Sequence, residues 1–141
     1  MRAVLDSSVA IKWVLPEPGT PQAVRLRNEF RRGLHGLLAP DIFAVEVAHA
    51  LTRAERRGVL RPPLSIRRLS AVLRFPPRFH PYLPLLPRAT AISSTTRHGV
   101  YDCLYVALAE REGIPLVTAD QRLLNNLGPS FPFLVDLASL P

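Results

Sequence analysis

The sequence predicts an α/β protein, a three-layer α/β/α sandwich around a central parallel sheet. Short apolar runs alternate with helical segments along all 141 residues. Strands that are separated by helices pair in parallel, and the helices then cover both faces of the sheet. A hydrophobic content of 48% with 21% charged residues is typical of a chain that buries a core. The length fits one domain over residues 1–141, because a domain typically has roughly 100–200 residues.

The predicted strands are short and rich in Val, Leu, Ile and Phe. They are Arg2–Leu5, Leu37–Ala39, Ile114–Thr118 and Phe133–Val135. The segment Phe75–Pro87 holds five of the 15 prolines, so it must be a loop or an edge strand.

Helical patterns fill the intervals between these strands. They run over Ser7–Leu15, Thr20–Arg32, Pro40–Arg57, Ser65–Arg74, Arg88–His98, Val100–Glu112 and Gln121–Leu127. Thr20 and Pro21 are suited to the N-cap and first turn of the second helix. Gly33, Gly58 and Gly113 are suited to ending helices, since glycine readily adopts the left-handed conformation found there.

The charge balance is basic, with 18 Lys+Arg against 11 Asp+Glu and a net charge of +7. Lys12 is the sole lysine, which genomic base composition could explain, but base composition does not explain the excess of positive charge. That excess is expected of a protein with a nucleic-acid or acidic protein partner. The runs of arginine are open to two interpretations, a solvated surface or contacts to RNA phosphates.

The sequence gives no sign of export or of a membrane anchor. No apolar run approaches the roughly 20 residues that a membrane span requires. The N-terminus lacks the features of a signal peptide, and the single cysteine, Cys103, excludes an intramolecular disulfide. We therefore expect a cytoplasmic protein in which Cys103 is a core residue.

Two aspartates follow predicted strands, Asp6 in VLD and Asp120 in LVTAD. Parallel strands end at the same edge of a sheet, where α/β proteins bind their ligands, so Asp6 and Asp120 should approach each other. The alternative is that each aspartate only caps the helix that follows it.

Glu46 lies in a helix among mostly apolar neighbours one turn away. A buried carboxylate without a partner is costly, so a cation should meet it. Either a structural ion pair with His49 or Arg53, or a bound metal ion, would satisfy it.

Asp102 is in the first turn of a helix that is apolar nearly all round and is therefore buried. One interpretation is that the Asp102 carboxylate only interacts favourably with the positive end of the helix dipole. Alternatively, all four acidic residues share one cleft at the carboxyl edge of the sheet. Crowded carboxylates need a cation, and hard divalent ions such as Mg²⁺ take oxygen ligands and also hold phosphate. That arrangement is suited to metal-assisted hydrolysis of phosphodiesters.

Four segments in this order, VLDSSVAIKW, PDIFAVEVAHAL, YDCLYVALAE and LVTADQRL, resemble a PIN-domain ribonuclease. The size and the VLDSSV start are similar to the VapC toxins of toxin–antitoxin pairs. The resemblance implies that Asp6, Glu46, Asp102 and Asp120 bind Mg²⁺ or Mn²⁺ and that Ser8 supports the site by hydrogen bonding. It also implies single-stranded RNA as substrate, a cognate antitoxin as partner, and a homodimer. The proline-rich middle of the chain departs from the family pattern, which leaves the choice of RNA open.

Other enzyme classes fail on local sequence. Ser8 stands where a dehalogenase-like phosphatase needs a second aspartate, and DSSVAI lacks the glycines of a dinucleotide site. The four histidines lack zinc-site spacing, and His49 draws attention only as a neighbour of Glu46. Tyr101, Tyr105 and Trp13 are expected in the core. Two rival functions stay open, a non-catalytic RNA- or protein-binding module and a housekeeping RNA-processing nuclease without an antitoxin.

Overall fold

Five parallel strands form the central sheet in the computed structural model, which describes residues 1–141. The strands are β1 (Arg2–Leu5), β2 (Gly36–Pro40), β3 (Arg78–His80), β4 (Leu116–Thr118) and β5 (Leu134–Asp136). Their order in the sheet is β3-β2-β1-β4-β5. In the central strand, Val4 pairs with Leu38 of β2 on one side and with Leu116 of β4 on the other. The ends of β1 and β4 are therefore adjacent, as the two strand-end aspartates required.

Seven α-helices flank the sheet, and this confirms the predicted α/β/α architecture. They are α1 (Ser7–Ile11), α2 (Thr20–Arg31), α3 (Phe43–Arg56), α4 (Leu64–Leu73), α5 (Leu86–Thr96), α6 (Val100–Glu112) and α7 (Gln121–Leu127). Short 3₁₀ helices cover Leu83–Leu85 and Leu137–Ser139. None of these helices combines the length and the apolar character needed to cross a membrane.

The core is one cluster of 34 buried hydrophobic residues, and helix α6 is its largest helical contributor. Every residue from Cys103 to Ala109 is buried, because α6 packs on β1, β2 and β4 and also on α5. The sequence predicted a helix that is apolar nearly all round. Its burial holds the first turn of α6, with Asp102, in a fixed position.

Local differences from the prediction have identifiable causes. Helix α2 is capped by Gly19 (φ 86°) rather than by Thr20, whose hydroxyl instead donates to the carbonyl of Glu17. Helix α3 begins at Phe43 because Asp41 is tied to the proline-rich segment, where its carboxylate accepts from the amide of Tyr82. That segment contributes the edge strand β3, one of the two alternatives the prolines allowed. Helix α1 ends at Ile11, one turn short of the predicted Leu15.

Candidate active site

Asp6 lies directly after β1 and immediately before α1. Although it occupies the N-cap position of α1, it makes no side-chain cap hydrogen bond. Its Oδ2 accepts from Ser8 Oγ at 2.6 Å and from Thr118 Oγ1 at 2.8 Å. Thr118 is the last residue of β4 and is fully buried. The Asp6 carboxylate is thus held by hydroxyls from α1 and from the neighbouring strand.

The electrostatics of Asp6 are unfavourable for a carboxylate. Its side chain is only 3% exposed, and burial raises its pKa to about 7. The two hydroxyl donors lower the pKa of Asp6, but the nearby charges of Asp102 and Glu46 raise it again. Asp6 has no basic side chain within ion-pair distance. A bound cation would relieve both the desolvation and the repulsion.

Glu46, on α3, is satisfied by hydroxyl groups rather than by a cation. Its Oε1 accepts from Tyr105 Oη at 2.6 Å and from Ser7 Oγ at 3.4 Å. The alternative of a structural ion pair is not found, since neither His49 nor Arg53 approaches Glu46 within ion-pair distance. Burial and the charge of Asp102 raise the pKa of Glu46, against the lowering effect of the two hydroxyls. Tyr105 stays a donor because burial and both neighbouring carboxylates raise its pKa far above the usual range.

Asp102 is held by a histidine that precedes it by one turn. Its Oδ2 lies 2.7 Å from Nε2 of His98, whose side chain is only 3% exposed. The other ring nitrogen, Nδ1, lies 3.2 Å from the amide Nδ2 of Asn126. An amide nitrogen can only donate, so Nδ1 accepts and the proton is on Nε2, which donates to Asp102. No protein group donates to the other Asp102 oxygen.

A tight turn between α5 and α6 places His98. Arg97 closes α5 in the left-handed region at φ 62°, which is uncommon for a residue with a side chain. Two hydrogen bonds fix the backbone of His98 in this turn. Ser93 Oγ donates to the His98 carbonyl at 2.6 Å, and the His98 amide donates to Thr96 Oγ1 at 3.3 Å. The ring is therefore fixed by the backbone as well as by Asn126.

Asp120 caps the helix that follows it, which was one of the two interpretations of this residue. Its Oδ1 accepts from the amides of Arg122 and Leu123 and caps α7. Its own amide donates to Thr118 Oγ1, the hydroxyl that donates to Asp6. The structure thus brings Asp6, Glu46 and Asp102 together as mutually repelling charges, whereas Asp120 is linked to Asp6 only through a shared hydroxyl.

Ser8 occupies the position that the sequence suggested for a supporting residue. Its hydroxyl donates to Asp6 and accepts from the amide of Ala119 at 3.0 Å. It therefore bridges α1 to the chain that follows β4.

The donor chemistry of the cluster fits a hard divalent cation. All the acidic ligands offered are carboxylate oxygens, and no Lys or Arg neutralises them. No group of three or more His, Cys, Asp or Glu side chains is already gathered at metal-ligand geometry. Mg²⁺ typically binds through one or two carboxylates and keeps several waters, so a preassembled protein cage is not required. Asp6, Glu46 and Asp102 supply the carboxylate oxygens of this cluster, and Asp120 caps α7.

Two adjoining clefts lie beside this cluster, and Glu46 is the acidic residue of the cluster that lines one of them. One, of about 490 Å³, is lined by Ser7, Val45, Glu46 and Tyr101 among others. The other, of about 250 Å³, is lined by Ser8, Lys12, Arg53 and Arg57 among others. They share Ile11, His49 and Ala50, and so form one continuous surface.

The expectation for the aromatic residues was wrong in one case. Tyr105 and Trp13 are buried as predicted, but Tyr101 is 62% exposed at the mouth of the larger cleft. Cys103 is buried, as expected of a core residue, and burial raises the pKa of its thiol to about 11.

Sequence reasoning missed His98, Thr118 and Asn126 as site residues. The spacing of four between His98 and Asp102 was visible in the sequence, and Thr118 ends a strand two residues before Asp120. Asn126 gave no local signal, because its contact with His98 is made between α7 and the turn before α6.

Comparison with known proteins places this geometry in a family. The PIN domain profile matches residues 3–127. Ribonuclease VapC12 of Mycobacterium tuberculosis is 39% identical over 126 residues, which are 89% of this chain and 92% of that protein. Ribonuclease VapC3 of Pyrobaculum aerophilum is 36% identical over 139 residues, which are 96% of this chain and 98% of that protein.

Solved structures show the same fold. The crystal structure of PAE2754 from Pyrobaculum aerophilum has a TM-score of 0.71 at 21% identity and covers 99% of this chain and 94% of that one. A chain of a toxin–antitoxin complex from Klebsiella pneumoniae has a TM-score of 0.63 at 15% identity, covering 96% and 97%. The architecture, the order of the acidic motifs and the close relatives agree. The chain belongs to the PIN-domain family and, within it, to the VapC ribonucleases.

Proposed function

We propose that this protein is a metal-dependent endoribonuclease that hydrolyses single-stranded RNA and acts as the toxin of a toxin–antitoxin pair. The observation that carries the proposal is the cluster of Asp6, Glu46 and Asp102, whose charges repel one another with no Lys or Arg among them. Glu46 lines a cleft that adjoins a second, basic cleft with Arg53 and Arg57, and a carboxylate cluster beside basic groups is suited to holding a metal ion together with phosphate. Relatives named as ribonucleases support the same reaction.

The acidic residues divide into two pairs by their proposed contact with the metal ion. Asp6 and Asp102 would hold the ion directly, and Glu46 and Asp120 would hold it directly or through water. A bound Mg²⁺ or Mn²⁺ would supply charge stabilisation on the phosphate and lower the pKa of the attacking water. Ser8 fixes the Asp6 oxygen that it contacts at 2.6 Å.

The supporting residues orient these ligands before substrate arrives. Thr118 holds Asp6 from β4, and His98 holds one oxygen of Asp102 so that the other stays available. Carboxylates that are fixed by hydrogen bonds lose less entropy when they bind an ion. No nucleophilic side chain is needed, since water attacks.

A cognate antitoxin and a second copy of this chain are the proposed partners. Solved relatives include a toxin–antitoxin complex and a VapBC2 complex bound to promoter DNA, and we carry this association over to the present chain as a proposal. An extended or helical antitoxin segment could lie in the cleft and bring a cation to the carboxylates. The homodimer and the cytoplasmic location stay predictions, and light scattering of the purified protein tests the first.

The decisive experiment measures cleavage of a labelled single-stranded RNA with increasing Mg²⁺ or Mn²⁺ and then with EDTA. Glu46→Gln should abolish metal-stimulated cleavage, because the amide keeps the Tyr105 hydrogen bond but not the charge. Glu55→Gln is the matched control on the same helix, since the Glu55 side chain makes one hydrogen bond, from the amide of Ser65, and lines neither cleft. Chelator-resistant RNA binding without cleavage would instead favour a non-catalytic binding module. Cleavage by a protein with no recoverable antitoxin would favour a housekeeping nuclease.

A further inference from the structure

The surface around Glu46 has two ends of different chemistry. At one end Tyr101 is 62% exposed and Val45 is 70% exposed, and both line the same cleft as Glu46. Tyr101 also precedes Asp102 in the first turn of α6, so the exposed ring lies in the cleft that Glu46 lines. Its hydroxyl makes no hydrogen bond within the chain, which leaves the side chain available to a ligand.

The other end is cationic. Arg53 and Arg57, at the C-terminal end of α3, line the adjoining cleft, and neither makes an ion pair or a side-chain hydrogen bond. Lys12 lines it as well but is already paired with Glu17 at 3.3 Å. Two unpaired guanidinium groups therefore line a cleft that is continuous, through Ile11, His49 and Ala50, with the cleft that Glu46 lines.

We propose that one RNA strand crosses both clefts, with a base stacked on Tyr101 and with phosphates held by Arg53 and Arg57 on the other side of Glu46. This inference rests on the proposed function and adds to it the path that the strand takes across the site. An aromatic face accepts any base, and stacking of this kind is common in single-strand recognition. Guanidinium groups bind phosphate oxygens in bidentate geometry.

RNA is favoured over a protein occupant by the charges. The chain has a net charge of +7, and the two unpaired arginines need anions spaced along the ligand. An RNA strand carries one phosphate per nucleotide and an aromatic base beside each, which matches an aromatic end and a cationic end separated by the cleavage site.

Binding is measured in the inactive Glu46→Gln background by fluorescence anisotropy with a set of short single-stranded RNAs, each carrying one abasic position. Tyr101→Ala should weaken binding of the intact RNA by about 5- to 150-fold, the effect of losing one stacked base, and Tyr101→Phe should not. An RNA that is abasic at the stacked position should bind more weakly than intact RNA to the protein that retains Tyr101. The Tyr101→Ala protein should bind the abasic RNA and the intact RNA with equal affinity. Tyr82→Ala is the matched control, since Tyr82 is 41% exposed outside these clefts.

The cationic end is tested by salt dependence. Arg53→Ala with Arg57→Ala should reduce the slope of log affinity against log salt by about 1.4, because each phosphate contact on a single strand contributes about 0.7. Arg56→Ala, an exposed arginine of the same helix outside both clefts, should leave the slope unchanged.

Three results would overturn the inference: no abasic position that depends on Tyr101, an unchanged salt slope, or a change of oligomeric state in Tyr101→Ala, which would assign Tyr101 to an interface between copies. The proposed function is separable from these results. If the unmodified chain cleaves RNA while the Tyr101 and arginine variants bind as tightly as it does, only this inference fails. If the binding pattern is found but no variant or condition gives cleavage, the proposed function fails and the binding path stands.

Discussion

Replacing Asp6 with asparagine should stabilise the metal-free protein while abolishing cleavage. Asp6 is 3% exposed and its Oδ2 accepts from two hydroxyls. The carbonyl oxygen of asparagine can keep both of these hydrogen bonds. What the substitution removes is a buried negative charge that Glu46 and Asp102 repel.

The magnitude follows from the pKa of Asp6, which rises from its ordinary value of 3.8 to about 7 in the folded protein. That rise corresponds to about 4 kcal/mol of folding free energy. Because the folded state binds the proton more tightly than the unfolded state, stability falls as the pH rises from about 4 to about 7 and is lowest above pH 7. The buried asparagine amide, which lacks a hydrogen-bond acceptor, costs about 1–3 kcal/mol. The net gain of Asp6→Asn at pH 8 is therefore about 1–3 kcal/mol.

Urea unfolding in EDTA at pH 4 and at pH 8 measures this effect. Asp6→Asn should be more stable than the unmodified protein at pH 8 and no more stable at pH 4. Mg²⁺ should then stabilise the unmodified protein but not the variant, since only the former binds it. Asp41→Asn, which alters another strand-end carboxylate outside the site, is the control. Equal stabilities at both pH values, or equal stabilisation by Mg²⁺, would refute the argument.

Three further predictions concern α6 and the turn before it. Asp102→Asn should change the free energy of unfolding by at most about 1 kcal/mol, because asparagine still accepts a hydrogen bond from His98. The same substitution should reduce RNA cleavage by orders of magnitude, measured in a Mn²⁺ titration. His98→Ala should weaken Mn²⁺ binding by about 10- to 100-fold in calorimetry or electron paramagnetic resonance, and His98→Gln, whose amide can donate to Asp102, should restore part of it. If the unmodified protein, His98→Ala and His98→Gln bind Mn²⁺ with equal affinity, His98 has no positioning role. Cys103, buried with its pKa raised to about 11, should react with iodoacetamide at pH 8 only after denaturant is added.

The sequence by itself determined the layers of the fold and the approach of Asp6 to β4. Alternation of apolar strands with helices requires a parallel sheet, and the apolar character of α6 on all sides requires its burial. The parallel sheet and the burial of α6 both follow from the spacing of apolar residues, which can be read from the local sequence. The family resemblance rests on the same local segments, and for that reason the sequence alone shows it.

The tertiary structure decided which groups satisfy each carboxylate. Glu46 is met by Tyr105 from α6 rather than by an arginine of its own helix, and Asp102 is met by His98, whose tautomer Asn126 sets from α7. Tyr101 is exposed, although α6 is buried from Cys103 to Ala109. These contacts join elements that are distant in the chain, and hydrogen bonds between them depend on ångström-scale positions that periodicity does not encode. Partner choice in a buried polar cluster is therefore a property of the packed fold.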